Sequence, residues 1–491
     1  MFPTHSTEAP IADSEGRPFT FLVSTTAASR DIRGNMGNAD YSYAFVLKGL
    51  APALAELGHW RTISHPESSL AYQADQAKAQ GDFAVHLSIQ PPQNGYLTPA
   101  LPNVLFPFWE FPEIPDRDFG FDTRQNWKRI TGRADLILTA CQFTAEAFRR
   151  SGVACPVEVV PVPMAPEVFD VPPWDPEQRW TIPCRHTVWE GPSEPSSATS
   201  STPATAPKWK RVLKRVYGRL HGIYKRHVLR WISLEAAEIL FQTKNKLMRK
   251  ANAGPTLLPS TPLTLSGLVY TSIFNMGDRR KNIDDLLSGF LLAFRDRPDV
   301  TLVLKLATNP ERERHELKEL RHRYDRLNLE HACRVVVITD YLTDAQMNEM
   351  MRATTYYLNT SKAEGACLPL QQALAAGRPA LAPRHTAMLD YIDDEVAFVL
   401  RSHAEPTFFP HDPEPSFETS WHRLVWIDIR DRLLESAEVA ERDRPRYDVL
   451  AAAARHRMND LYSRPAVVKA LRRALDRLPE SALKRDFSWS A

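Results

Sequence analysis

The stretch Tyr356-Tyr-Leu-Asn-Thr-Ser-Lys-Ala-Glu364-Gly-Ala-Cys-Leu-Pro-Leu-Gln-Gln-Ala-Leu-Ala-Ala-Gly377-Arg-Pro-Ala-Leu-Ala-Pro383 decides the fold. It reads as strand, tight loop, helix and strand. Thr354 to Asn359 is rich in β-prone residues, and Glu364-Gly365 interrupts it. Pro369 suits the first turn of a helix, where its missing N–H costs nothing. Leu370 to Ala376 favours helix, and Gly377 supplies a left-handed stop ahead of Pro379. A carboxylate, Glu364, is thereby set beside the backbone N–H groups of Gly365, Ala366, Cys367 and Leu368 at a helix N-terminus. Such a terminus attracts phosphate through its free donors and its dipole. An acid next to an anion-binding turn suits a ligand with both hydroxyls and phosphates, as a sugar nucleotide has.

A chain of 491 residues is long enough for two ordinary domains and extras. With 43% hydrophobic and 24% charged residues it is globular. Five scattered cysteines show no metal spacing, and their odd number argues against a disulfide framework, so a reducing cytoplasm is expected. The N-terminus lacks a basic-then-apolar leader, and no apolar run reaches transmembrane length. These features predict a cytoplasmic protein, or one peripheral on the inner face of a membrane.

Met1 to Pro18 is polar and reads as loose. Phe19–Thr25 is a continuous apolar run, as in a strand buried on both faces. A loop from Arg30 to Asn38 carries Gly34 and Gly37, and a helix is predicted from Tyr41 to Leu57. The Gly-x-x-Gly spacing lacks the third glycine of a dinucleotide fingerprint. Strands are predicted at Phe83–Ile89, Asn103–Phe108, Ala134–Thr139 and Val157–Val160, with helices at Asp122–Thr131 and Gln142–Ser151. That alternation predicts an open parallel sheet wound on both faces, with the first such domain at 19–180. Glu110 follows Phe106-Pro-Phe-Trp at a carboxyl edge, where ligands bind in such sheets. It is a candidate base, acceptor-hydroxyl contact, helix cap or ion-pair partner.

Residues 181–260 read as an insertion. Its segment 190–207 is Ser, Thr, Pro and Ala with little to bury and is predicted disordered. Lys208–Ile232 holds nine basic residues and no acidic one; with +2 overall, the remainder of the chain carries −7. Its aromatic and aliphatic residues recur at helical spacing, which describes a helix lying on an anionic membrane surface or docked on the protein. No fold signal for nucleic-acid binding accompanies the patch.

A second unit, 261–440, opens with a strand at Gly267–Phe274 and the run Asn275-Met-Gly-Asp-Arg-Arg-Lys-Asn282. Asn282 is expected to cap a helix, and Arg280 and Lys281 beside its N-terminus make a pyrophosphate site. Strands are predicted at Thr301–Leu306 and Arg334–Ile338, a charged helix at Glu311–Leu327, and a capping box at Thr343-Asp-Ala-Gln346. Tyr341, in the loop between, joins the candidate donor-binding residues. Beyond His385-Thr-Ala the reading is an acidic helical region, a Pro-rich loop from Pro406 to Pro415, and terminal helices over 441–491 that cross back to the first domain.

Glu-Gly-x-x-Leu-Pro from Glu364, a polar residue eight positions after the Glu, then Ala-x-x-x-Gly-x-Pro, resembles the donor signature of glycosyltransferase family 4 (glycosyl transferases group 1). The resemblance is densest over Ser266–Leu400. It implies a GT-B fold of two facing Rossmann-like domains, and transfer of a sugar from a nucleotide donor to a glycan or polyprenyl-linked acceptor, usually with retention. It implies that Glu364 holds the donor sugar, and that Lys281, with Arg280 as the nominated arginine, neutralises the leaving diphosphate. Gly34 and Gly37 would face the cleft, and no metal or other cofactor is expected. The family's second acid, which holds ribose, is replaced here by Gln372. That substitution motivates a rival reading, an inactive sugar-binding scaffold. A different GT-B enzyme, such as an epimerase or phosphorylase, is the other.

Overall fold

The computed structural model describes residues 18–26, 32–37, 40–118, 122–189, 259–410, 412 and 415–483. The expected linker 190–207 and basic helix Lys208–Ile232 lie outside the described residues.

Six strands form the first sheet: β1 (Phe19–Ser24), β2 (Gly58–Thr62), β3 (Phe83–Ser88), β4 (Asn103–Leu105), β5 (Leu136–Thr139) and β6 (Val157–Val159). Their order is β2-β1-β3-β4-β5-β6, parallel throughout. β1 is buried at every position because helices cover both faces. Phe19, Phe21 and Val23 pack against helix Ser42–Leu57, whereas Leu22 packs with Leu70, Ala74 and Ala77 of helix Pro66–Ala79. The late helix Arg464–Leu475 adds Val467 and Leu471 to the first of these cores.

The second sheet comprises β7 (Trp180–Trp189), β8 (Ser260–Leu265), β9 (Leu268–Phe274), β10 (Val300–Leu306), β11 (Arg334–Ile338), β12 (Tyr356–Leu358), β13 (Ala380–Pro383) and β14 (Ala397–Leu400). Its order is β14-β13-β12-β9-β10-β11-β7-β8. β14 to β11 run parallel; β7 and β8 are antiparallel additions. The two sheets with their helices are the doubly wound pair of a GT-B fold. β7 corrects the reading of 181–260 as an insertion, because its buried Ile182 and Cys184 face Leu263 and Leu265 of β8. Pro183 stands opposite Pro262, and a proline in a run is the signal that demotes it as a strand.

Two further expectations are revised. The expected Pro-rich loop, Pro406 to Pro415, overlaps the last three residues of β15 (Ser402–Phe408), which forms a hairpin with β16 (Glu418–Leu424). The acidic region before it starts as a 3-10 turn, Thr386–Asp390. The hairpin's connecting loop buries Phe417 among Trp109, Phe111, Trp127 and Phe148 of the first half. Asn282 occupies the cap position of helix Ile283–Ala293, but in the left-handed region at φ 53°, and its amide donates to Asp285 Oδ2 (2.9 Å) instead of accepting from the helix. The capping box of Thr343 and Gln346 is present, and Gly377 is left-handed at φ 69° as read.

Candidate functional site

The carboxyl edges of the two sheets meet at a compact cluster of charges. Asp278 opens the 3-10 turn Arg279–Lys281 after β9, its Oδ1 accepting from the Arg280 N–H (3.1 Å). An aspartate at this place satisfies backbone donors that the turn leaves free. The same carboxylate grips the Arg280 guanidinium at both oxygens, Nε to Oδ1 at 3.0 Å and Nη2 to Oδ2 at 2.5 Å. Arg280 Nη1 reaches across to Glu110 Oε1 of the first half (2.5 Å) and also donates to the Ala363 carbonyl (3.3 Å). Lys281 Nζ lies 2.5 Å from Glu364 Oε1.

The loop carrying Glu364 is held from several sides. Lys362 N–H donates to the Arg280 carbonyl (2.7 Å), Glu364 N–H to Thr386 Oγ1 (3.0 Å), and Ala387 N–H to the Glu364 carbonyl (3.1 Å). Both Thr386 (φ 50°) and Cys367 (φ 62°) are non-glycine residues in the left-handed region. Such conformations cost about 1–3 kcal/mol each and persist where surroundings over-determine them. Cys367 is the residue from which helix Leu368–Ala375 starts, with Pro369 in its first turn. The N–H groups of Gly365, Ala366 and Cys367 donate to no acceptor among the described residues.

Burial and charge pull these groups in different directions. Burial raises Glu110 above the usual carboxylate range by more than Arg280 lowers it. For Asp278 burial is outweighed, and Arg280 and Lys281 hold it down to about 2. Burial works against the charges of Arg280 and Lys281, yet Asp278 with Glu110 and Glu364 with Asp278, respectively, outweigh it and raise both. Burial pushes the Tyr41 hydroxyl up to about 12, with Lys281 opposing and Glu364 adding. Beside Lys281 and Glu364 a cavity of about 10 Å³ is lined by Ser272, Phe274, Tyr357, Asn359 and Thr360. Among the described residues no three His, Cys, Asp or Glu side chains converge as a metal set.

The structure brings Glu110, Arg280, Lys281, Glu364, Gly365, Ala366, Cys367 and Leu368 together. Gly365 passes close to Trp109, whose N a Cβ there would approach to 3.3 Å. Gly37 has φ 79°, its carbonyl accepts from Asn275 Nδ2 (2.9 Å) and Arg312 Nη1, and a Cβ would lie 2.7 Å from the Ala307 carbonyl. That position admits only glycine, and it docks the first half's loop on the second half's edge. Gly34 is exposed in the short helix Ile32–Asn35. Gln372 and Tyr341 are half-buried, and no hydrogen bond joins either to the charge cluster. Tyr341 follows β11, two strand spacings from β9, or about 10 Å. Sequence reasoning missed Asp278, Asn275, Arg312, Tyr41 and Thr386. Asp278 was legible as a turn-forming acid two residues before Arg280; the others carry no local signal.

Residues 267–409 match the model of the family Glycosyl transferases group 1. No curated protein matches the sequence. Among solved structures, HepE of Anabaena in complex with UDP and glucose is similar at 12% identity and TM-score 0.47, covering 94% of this chain and 100% of that one. Sucrose-phosphate synthase of Thermosynechococcus elongatus is similar at 12% identity and TM-score 0.49, covering 94% and 99%. A glycosyltransferase of Rickettsia africae gives 10% identity and TM-score 0.46 over 96% and 100%.

Proposed function

We propose that the chain is a hexosyltransferase-type glycosyltransferase. It moves a sugar from a nucleoside diphosphate donor to a glycan or polyprenyl-linked acceptor, in surface-polysaccharide or glycoconjugate synthesis. It would work in the cytoplasm or on the inner face of a membrane. The observation that carries the reading is the Lys281–Glu364 pair, 2.5 Å apart, at the start of helix Leu368–Ala375 inside the family-matching segment. Glu364 is placed to hold donor-sugar hydroxyls, while Lys281 and the free N–H groups of Gly365 to Cys367 supply positive potential for the departing diphosphate. Glu110 stands on the acceptor side as a hydroxyl contact or base. Most of the barrier lowering then comes from preorganised electrostatics and orientation, with no metal or other cofactor required. Glu364 is paired with a lysine and not with a second carboxylate, which supports a same-face transfer over the double displacement of retaining glycosidases.

The test is thermal shift against a panel of nucleoside diphosphates and their sugars, on wild type and Lys281→Ala. A raised midpoint for one nucleotide, lost in the variant, is expected; no shift for any nucleotide overturns the reading. Gln372, where the family has an acid, favours a second reading, a sugar-binding scaffold without turnover. Donor turnover that survives in Gln372→Glu and disappears in Glu364→Ala excludes it.

A further inference from the structure

The charge cluster contains three carboxylates, Glu110, Asp278 and Glu364, against two cations, Arg280 and Lys281. All five side chains are between 7% and 17% exposed. With every group ionised the cluster is formally negative by one charge, and both cations are already engaged. A diphosphate brings further negative charge into this poorly solvated place. The site as built therefore repels its ligand unless a carboxylate is neutralised or a cation accompanies the donor. No metal-binding set converges among the described residues, which directs attention to the carboxylates.

The three are not equivalent. The Asp278 carboxylate accepts three hydrogen bonds from Arg280, one from its backbone N–H and two from its guanidinium, and Glu364 is held by Lys281 at 2.5 Å. Glu110 belongs to the other half of the molecule, on the loop after β4, and its partner among the described residues is Arg280 Nη1 alone. Arg280 Nη1 is also the part of the guanidinium that points away from Asp278, the side a diphosphate would take.

Resting on the donor reading above, we infer that the diphosphate displaces Glu110 from Arg280 and that Glu110 takes up a proton from solvent as it is displaced. One O–H bond forms at Glu110 and one bond to hydrogen breaks at the hydronium ion or buffer acid that gives up the proton. The groups facing Glu110 set the sign. Arg280 and Lys281 favour its charged form; burial, Asp278 and Glu364 disfavour it. Tyr43, on helix Ser42–Leu57, faces it as a neutral phenol. Losing Arg280 to the ligand removes the larger of the two attractive partners, so the bound form holds its proton to higher pH than the free form. Donor binding then strengthens as pH falls through the range where Glu110 is ionised without donor and protonated with it. A neutral Glu110 keeps one O–H to donate, so of the two roles named for it above, hydroxyl contact and base, this inference selects the hydroxyl contact.

Calorimetric titration of the full chain with the nucleoside diphosphate, in buffers of different ionisation heat, counts the proton directly. Wild type is expected to take up about one proton per ligand, with affinity falling up to about tenfold per pH unit of increase. Glu110→Gln is expected to bind as tightly or more tightly, with no proton uptake and no pH dependence. Zero uptake by wild type, or unchanged uptake in Glu110→Gln, overturns the inference while leaving the donor reading intact. Binding that appears only on adding a divalent cation overturns it as well and assigns the neutralisation to a metal. Absence of binding at any pH, with and without the cation, overturns the donor reading itself. The wild-type count decides independently of how the variant folds.

Discussion

Replacing Lys281 by Met leaves Glu364 as a carboxylate 7% exposed, without its 2.5 Å partner and close to Asp278 and Glu110. At an effective dielectric of about 20, charges at that separation attract by roughly 7 kcal/mol, much of it offset by desolvation. Breaking such a buried pair from one side costs about 3–5 kcal/mol, because the surviving charge is uncompensated. Two like-charged neighbours place Lys281→Met at the upper end of that range. Adding Glu364→Gln removes the orphaned charge, so the double variant is expected to recover at least about 2 kcal/mol of the single loss. The assay is urea unfolding by tryptophan fluorescence across wild type, both singles and the double, comparing midpoints at a common slope. Singles that each cost under about 0.5 kcal/mol and simply add in the double would refute the reasoning. They would mean that the pair does not exist in solution.

Asp278 held near 2 instead of 3.8 is a depressed carboxylate. Its contribution, about 2 kcal/mol, is present above its ordinary value and is lost as pH falls from about 4 towards 2. Asp278→Asn should therefore flatten that acid limb of stability against pH, and an unchanged limb counts against the bidentate grip on Arg280. Phe417→Ala empties a place 3% exposed in the aromatic cluster of Trp109, Phe111, Trp127 and Phe148. It should cost about 3–5 kcal/mol and speed proteolysis between Phe409 and Phe417, whereas Phe417→Leu should cost far less. A loss below about 1 kcal/mol for the alanine variant shows that the hairpin loop is not anchored on the first half.

Much of the fold was legible because parallel strands buried on both faces leave predominantly apolar runs, as in Phe19–Ser24 and Val300–Leu306. Strands that break this rule were missed. β7 carries Pro183 and exposed positions, and β15 and β16 are half-exposed and lie beside prolines. The candidate site was legible where one short segment supplies several groups, as from Glu364 to Leu368. Arg280 was nominated as a diphosphate ligand, but which group its guanidinium meets could not be read. That depends on Glu110, 170 positions away.

The sequence by itself determined the alternation of strands and helices, the left-handed stop at Gly377 and the acid-bearing turn before helix Leu368–Ala375. Each follows from preferences of residues within a few positions of one another. Only the tertiary structure decided the charge state of the cleft. Glu110 meets Arg280 and the Gly37 carbonyl meets Asn275 because two sheet edges are brought together, and Lys281 meets Glu364 because β9 and β12 are neighbours in one sheet. Coulomb energy depends on separation in space and on exclusion of water, and neither quantity is written in the local order of residues.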